Sequence, residues 1–152
     1  MNHRLKLSAV LLACAAGFCL SPSTLIAESE GDYTYSVSNG EATITSFYPY
    51  YPSSELFITN TLGGFPVIAI GDNAFQVVWS VKRIVVPKGI KYIGNNAFMA
   101  CVNLTSLIIE DELSYLGDEA FSTCLKLGSV TFKGGLPDSV GADVFDASST
   151  TF

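Results

Sequence analysis

From residue 67 onward the apolar residues fall into columns that recur every 23 positions. Val81, Leu104 and Leu127 form one column, Ile84, Leu107 and Val130 a second, and Val86, Ile109 and Phe132 a third. Ile90, Leu113 and Leu136 follow, then Ile93, Leu116 and Val140, with Val78, Cys101 and Cys124 as a further column. A polar marker travels with them. Gly71-Asp72-Asn73-Ala74-Phe75 returns as Gly94-Asn95-Asn96-Ala97-Phe98 and as Gly117-Asp118-Glu119-Ala120-Phe121. A fainter copy, Gly141-Ala142-Asp143-Val144-Phe145, is displaced by one residue inserted near Gly134-Gly135. A unit this short cannot bury its own apolar face, whereas stacked copies merge the columns into one core, which is the logic of a solenoid. Leu104 to Ile109 carries apolar residues at L-x-x-L-x-L spacing and ends in alternation, predicting a half-buried strand. Equivalent strands should stack in parallel about 4.8 Å apart. The Gly-x-x-Ala-Phe segment is expected to turn the chain back on the opposite side, its glycine permitting the bend and its phenylalanine plugging the core. The predicted fold class is a β-rich repeat solenoid of 23-residue coils with a parallel ladder of short strands.

Ahead of the coils, Tyr33 to Val37 and Ala42 to Thr45 read as two short strands around Asn39-Gly40, a favoured hairpin turn. This hairpin is expected to cover the open end of the first coil. Leu56-Phe57-Ile58 is expected to be the first ladder strand, and Thr59 to Val67 a longer return loop than later coils use.

Ile70-Gly71-Asp72-Asn73-Ala74-Phe75, followed about ten residues later by a Leu-x-x-Leu-x-Ile type of strand, resembles the BspA-type (treponemal) leucine-rich repeat. Tyr35 to Ile44 and Leu62-Gly63-Gly64-Phe65-Pro66-Val67 resemble the start of such arrays in exported bacterial proteins, so the likeness spans roughly residues 33–145. It implies a leucine-rich-repeat fold and a role in adhesion or surface binding. The first regular coil departs from the pattern, carrying Gln76-Val77-Val78-Trp79 where later coils carry cysteine. The last coil decays at Asp146-Ala147-Ser148, as in a truncated array, and would expose core and a strand edge.

The first stretch changes the picture of where the chain works. Arg4 and Lys6 precede an uncharged, mostly apolar run from Leu7 to Leu20, and Leu25-Ile26-Ala27 offers a small residue at a cut before Glu28-Ser29-Glu30. This reads as a secretory signal peptide over 1–27, and the apolar run falls short of the ~20 residues of a spanning helix. An uncut anchor and a lipoprotein-type site at Cys14 are the alternatives. The expected organisation is a signal peptide (1–27), an N-terminal hairpin segment (28–67), leucine-rich-repeat coils (68–145) and an irregular tail (146–152), in a secreted or cell-surface protein. Membrane contact is expected only through the signal segment, if uncut.

Removal of 1–27 takes Arg4, Lys6 and His3 with it and leaves six basic against fourteen acidic side chains, a net charge of −8. Such a chain lacks the basic stripe that nucleic acid requires. With no histidine left, serine and cysteine triads are excluded on inventory. Cys101 and Cys124 lack C-x-x-C spacing and are expected as stacked, buried thiols. Glu110-Asp111-Glu112 and Asp118-Glu119 are the candidates for a carboxylate pair of a carbohydrate-active hydrolase or for calcium ligands, and otherwise form solvated corners. The expectation is no catalytic residue, no metal and no cofactor. Asn103-Leu104-Thr105 fits a glycosylation sequon, but Leu104 belongs to a core column.

A partner must then be met by surface contact. The positions between core columns point outward: Arg83 and Val85, Ser106 and Ile108, Ser129 and Thr131, flanked by Lys82 and Thr105. A second candidate is the Tyr-Pro segment with Tyr48, Tyr50 and Tyr51, whose stiff aromatic side chains suit protein or sugar contact; its prolines keep it out of a ladder. Trp79 stands where Val102 and Leu125 stand in later coils and is a third. The expected role is an interaction module for an extracellular protein or glycan, with a hydrolase or a non-binding structural remnant as rivals.

Overall fold

A computed structural model of the protein describes residues 26–146. The chain is a β-solenoid of stacked coils, with twelve strands and no helix among the described residues. The signal segment inferred for 1–27 lies outside the described residues except at its end. There Ile26 and Ala27 open strand β1 (Ile26–Glu30), which pairs antiparallel with β2 (Tyr33–Ser38). A cut after Ala27 would leave Glu28 to Glu30 of that strand. The tail is described only at Asp146.

Two parallel ladders run along the solenoid. The first joins β4 (Glu55–Phe57), β7 (Arg83–Val86), β9 (Ser106–Ile109) and β11 (Ser129–Phe132) in register, one coil per strand. Of the residues the columns named, Ile84, Leu107, Val86 and Ile109 are buried, together with Leu56 of the first strand, while Val130 and Phe132 of the last strand are partly buried. The second ladder was not anticipated. It joins β6 (Phe65–Ile70), β8 (Tyr92–Ile93), β10 (Tyr115–Leu116) and β12 (Ser139–Val140). Two-residue strands carry too little alternation to be read from sequence.

The N-terminal hairpin forms as expected. β2 and β3 (Glu41–Phe47) flank Asn39 and Gly40, which adopt φ of 54° and 79°, as a tight hairpin turn demands. The hairpin is more than a lid, because β3 pairs in parallel with β6 and so becomes the first rung of the second ladder. The stretch 59–67 is not a plain loop either. β5 (Thr61–Leu62) folds back on the start of β6 through Gly63-Gly64, with φ of 58° and 84°.

The third side of each coil is the Gly-x-x-Ala-Phe arm, and here the expected role of glycine is corrected. Gly71, Gly94, Gly117 and Gly141 do not adopt positive φ; the bend is made two residues later by Asn73, Asn96, Glu119 and Asp143, at φ of 52–59°. The glycines supply space. A Cβ at Gly117 would lie 2.5 Å from the carbonyl carbon of Gly94 and 2.6 Å from the amide of Asn95. Close coil packing, not a turn, excludes every other residue there.

The phenylalanines form a single file through the core. Phe75, Phe98 and Phe121 stack at centroid separations of 5.0 Å, Phe145 continues at 5.6 Å, and Phe47 of the hairpin starts the file 4.9 Å from Phe75. Each fully buried ring contributes roughly 1.5–3 kcal/mol through removal from water. The amides of Asn73, Phe75 and Val77 bond to the carbonyls of Asn95, Ala97 and Met99, so the arms are tied backbone to backbone as well. Two assigned core positions fail: Leu136 is 76% exposed and Val140, in the last strand of the second ladder, is 55% exposed. The residue inserted near Gly134-Gly135 shifts the register, and Pro137, half-buried, takes the place below Leu113.

Candidate binding surfaces

Ladder register decides which outward side chains meet. Glu55, Arg83, Ser106 and Ser129 lie side by side in one row, and Phe57, Val85, Ile108 and Thr131 in the next. The six outward positions read from the sequence thus converge on one face. Phe57, 63% exposed, completes the second row and was missed. Its signal was present: alternation in Leu56-Phe57-Ile58 puts the middle residue outside. The row Phe57–Val85–Ile108 is an apolar strip across three coils. Beside it, Arg83 faces Glu55 at 3.9 Å, both half-exposed, an ion pair of little worth to stability. Lys82 is exposed. Thr105 is engaged elsewhere, its hydroxyl donating to the Lys82 carbonyl at 2.9 Å.

The aromatic candidates separate into two groups. Tyr48 and Trp79, distant in sequence, line one groove of about 430 Å³ between the Tyr-Pro loop and the first coil's corner. Phe47, Pro49, Val77 and Val78 form its floor and sides, with Gln76 and Ser80 as polar groups. Tyr51 lines a smaller neighbouring hollow of about 140 Å³ together with Asp32, Glu55 and Leu56. Tyr50 stands edge-on to Tyr51 at 4.8 Å and lines neither groove. The loop is pinned: the Tyr48 amide donates to the Asp32 carbonyl at 2.9 Å and the Tyr50 amide to Asp32 Oδ1 at 3.2 Å. Prolines at 49 and 52 stiffen it further.

At the acidic corners, Glu110, Asp111 and Asp118 make structural contacts. Glu110 Oε1 takes Lys133 Nζ at 2.8 Å, and Asp111 Oδ2 takes Lys91 Nζ at 3.3 Å. Backbone hydrogen bonds from Glu112 and Gly89, with Lys91, hold the Asp111 carboxyl below the usual range. Asp118 Oδ1 accepts the Ala142 amide at 2.8 Å. None of these carboxylates lines either groove, and no cluster of three or more His, Cys, Asp or Glu suited to a metal occurs among the described residues.

Cys101 and Cys124 are stacked, buried and free. Each thiol donates to a main-chain carbonyl, Cys101 to Phe75 at 3.3 Å and Cys124 to Phe98 at 3.2 Å. Contact with Cys124, then burial, pushes the Cys101 thiol well above its ordinary range. Both are core residues at 0% exposure, closed to the solvent access that reactivity needs.

The family described as BspA type leucine rich repeat region matches residues 47–151, in six copies. No curated protein sequence matches the chain. Among solved structures it is similar to a leucine-rich repeat protein from Bacteroides capillosus ATCC 29799, at 23% identity and a TM-score of 0.68, over 83% of this chain and 99% of that one. It is also similar to a leucine-rich repeat protein from Bacteroides ovatus ATCC 8483, at 22% identity and a TM-score of 0.64, over 87% of this chain but only 34% of that one. Both likenesses concern the fold.

Proposed function

The chain belongs to the BspA-type leucine-rich-repeat family, and from that premise we propose that it is an exported recognition module that binds an extracellular protein through the outward face of its first ladder. Export rests on the residues of the leader, Arg4, Lys6 and the apolar run behind them. The observation that carries the binding reading is the strip Phe57–Val85–Ile108, three apolar side chains held in register on the outer face. An apolar centre beside Lys82, Arg83 and Glu55 follows the anatomy of protein interfaces, with a dry middle and a charged rim. A shallow face spread over several coils offers a protein many weak contacts and a small molecule few. Glu110, Asp111 and Asp118 are engaged in ion pairs and backbone caps, so no catalytic step is assigned to them.

Surface plasmon resonance against a panel of purified extracellular matrix and serum proteins tests this. A saturable partner is expected, with binding lost in a Phe57→Ser/Ile108→Ser variant whose melting curve matches the parent. Binding that survives the double change would remove the ladder face from consideration. A sample that aggregates instead of running as one species would favour the structural remnant.

A further inference from the structure

The groove between the Tyr-Pro loop and the first coil's corner does not belong to the ladder face, and its chemistry differs. Tyr48 is 85% exposed and Trp79 is 63% exposed. In later coils the Trp79 position holds Val102 and Leu125. The indole therefore appears only in the coil that faces the Tyr-Pro loop.

Both walls are held in place before any ligand arrives. The loop is tied to Asp32 by the amides of Tyr48 and Tyr50. The corner is tied to the next coil: the Val77 amide donates to the Met99 carbonyl at 2.9 Å, and Asn103 Nδ2 donates to the Trp79 carbonyl at 2.9 Å. Val77 also sits at φ 61°, a left-handed conformation that is unusual for a β-branched residue. Preformed walls lower the ordering cost of binding.

No charged residue lines the groove, in a chain with a marked net negative charge. A uronate or sialic-acid ligand would find no cation there, and a lysine-rich peptide no carboxylate. What the groove offers is aromatic faces with an amide and a hydroxyl, from Gln76 and Ser80. Sugar rings present apolar C–H faces that lie against aromatic rings, and hydroxyls at their edges that bond to amide and hydroxyl groups. At about 430 Å³ the groove falls within the ~300–1,000 Å³ span of small-ligand sites. We infer that the groove bounded by Tyr48 and Trp79 is a binding site for a neutral glycan, with Tyr48 and Trp79 as stacking platforms and Gln76 as a hydroxyl-reading group.

Trp79 is the only tryptophan in the chain, so its emission reports on this groove alone. Protein expressed from the full chain is titrated with cellohexaose, xylohexaose, laminarihexaose, mannohexaose and chitohexaose, and in parallel with a proline-rich peptide. At least one hexasaccharide should shift the emission saturably. Tyr48→Ala should weaken that binding by about tenfold, the worth of one aromatic stack, and Gln76→Ala by less. Trp79→Ala, followed by calorimetry, should abolish it, while the Phe57→Ser/Ile108→Ser variant should bind as the parent does. That last arm separates the groove from the ladder, so either can fail alone. The inference is overturned if none of the five sugars shifts the emission, if binding is unchanged in Tyr48→Ala, or if only the peptide binds.

Discussion

Asp72 Oδ1 accepts a hydrogen bond from the amide of Asn95, the equivalent residue of the next coil, at 2.8 Å. Asn95 Oδ1 repeats the act on the amide of Asp118 at 2.9 Å, and Asp118 Oδ1 on that of Ala142. A file of Asp and Asn side chains thus satisfies one amide per coil that the ladders leave out. Asn95 Oδ1 also accepts from the Tyr115 hydroxyl at 3.3 Å. Asn95→Ala should therefore destabilise by about 1–2 kcal/mol, whereas Asn95→Asp keeps the acceptor and should cost much less. Urea denaturation of the two variants decides it; equal losses would show that the acceptor is immaterial.

Gly117→Ala is expected to be worse. Its Cβ would meet the backbone of Gly94 and Asn95, which cannot swing aside as a side chain could. Overpacking of this kind costs about 1–3 kcal/mol or more. Gly40 is a useful contrast: nothing lies near its Cβ position, and only its φ of 79° favours glycine. Gly40→Asn should be nearly neutral, since asparagine tolerates that conformation. Comparable melting shifts in the two variants would contradict this account of the glycine column.

Phe98 has a ring on each side, Phe75 and Phe121, with planes tilted by only 17° and 4°. Phe98→Ala opens a hole between two coils and should cost about 3–5 kcal/mol. Phe98→Leu should recover a good part of that. A thermal melt in which both variants behave like the parent would mean that the file bears little of the stability.

The thiol pair predicts chemical silence. With both sulfurs buried and each S–H bonded to a carbonyl, an aromatic disulfide reagent should label neither cysteine in the native protein and both in denaturant. Mild oxidation should leave the two unlinked. Rapid native labelling, or a mass two hydrogens lighter after oxidation, would refute the buried-thiol reading.

Alkaline pH should loosen the N-terminal hairpin. Tyr35 is buried and its hydroxyl donates to Glu28 Oε2 at 3.1 Å. Burial first, then Glu28, pushes its pKa up to about 12 from 10.0. An acid whose folded pKa exceeds its unfolded one releases its proton more readily from the unfolded chain at high pH. Stability is thus intact below about pH 10 and falls as pH rises toward 12. Tyr35→Phe should reduce that slope without removing it, because burial raises Tyr33 as well. Urea midpoints measured from about pH 9 to 11 give the slope directly, and an unchanged slope would speak against Tyr35 as its source.

Much of this molecule is legible from spacing. Stacking alone lets 23-residue units bury their columns, so Leu104, Leu107 and Ile109 had to face inward and Ser106 and Ile108 outward. Leu136 was misplaced because one inserted residue moves a column by one step, and alternation is too short there to reveal it. The second ladder escaped because Tyr92-Ile93 and Tyr115-Leu116 are two residues each.

The sequence by itself determined the repeat, the file of phenylalanines, the inward and outward rows and the hairpin at Asn39-Gly40. A period dictates these, since every coil meets a copy of itself. Only the tertiary structure decided what the non-repeating parts touch. It put glycine against backbone instead of at a bend, made β3 the first rung of a ladder, added Phe57 to the outer row, and brought Tyr48 and Trp79 to one groove. Those pairings depend on how the N-terminal segment closes over the first coil, and closure brings together residues that no spacing relates.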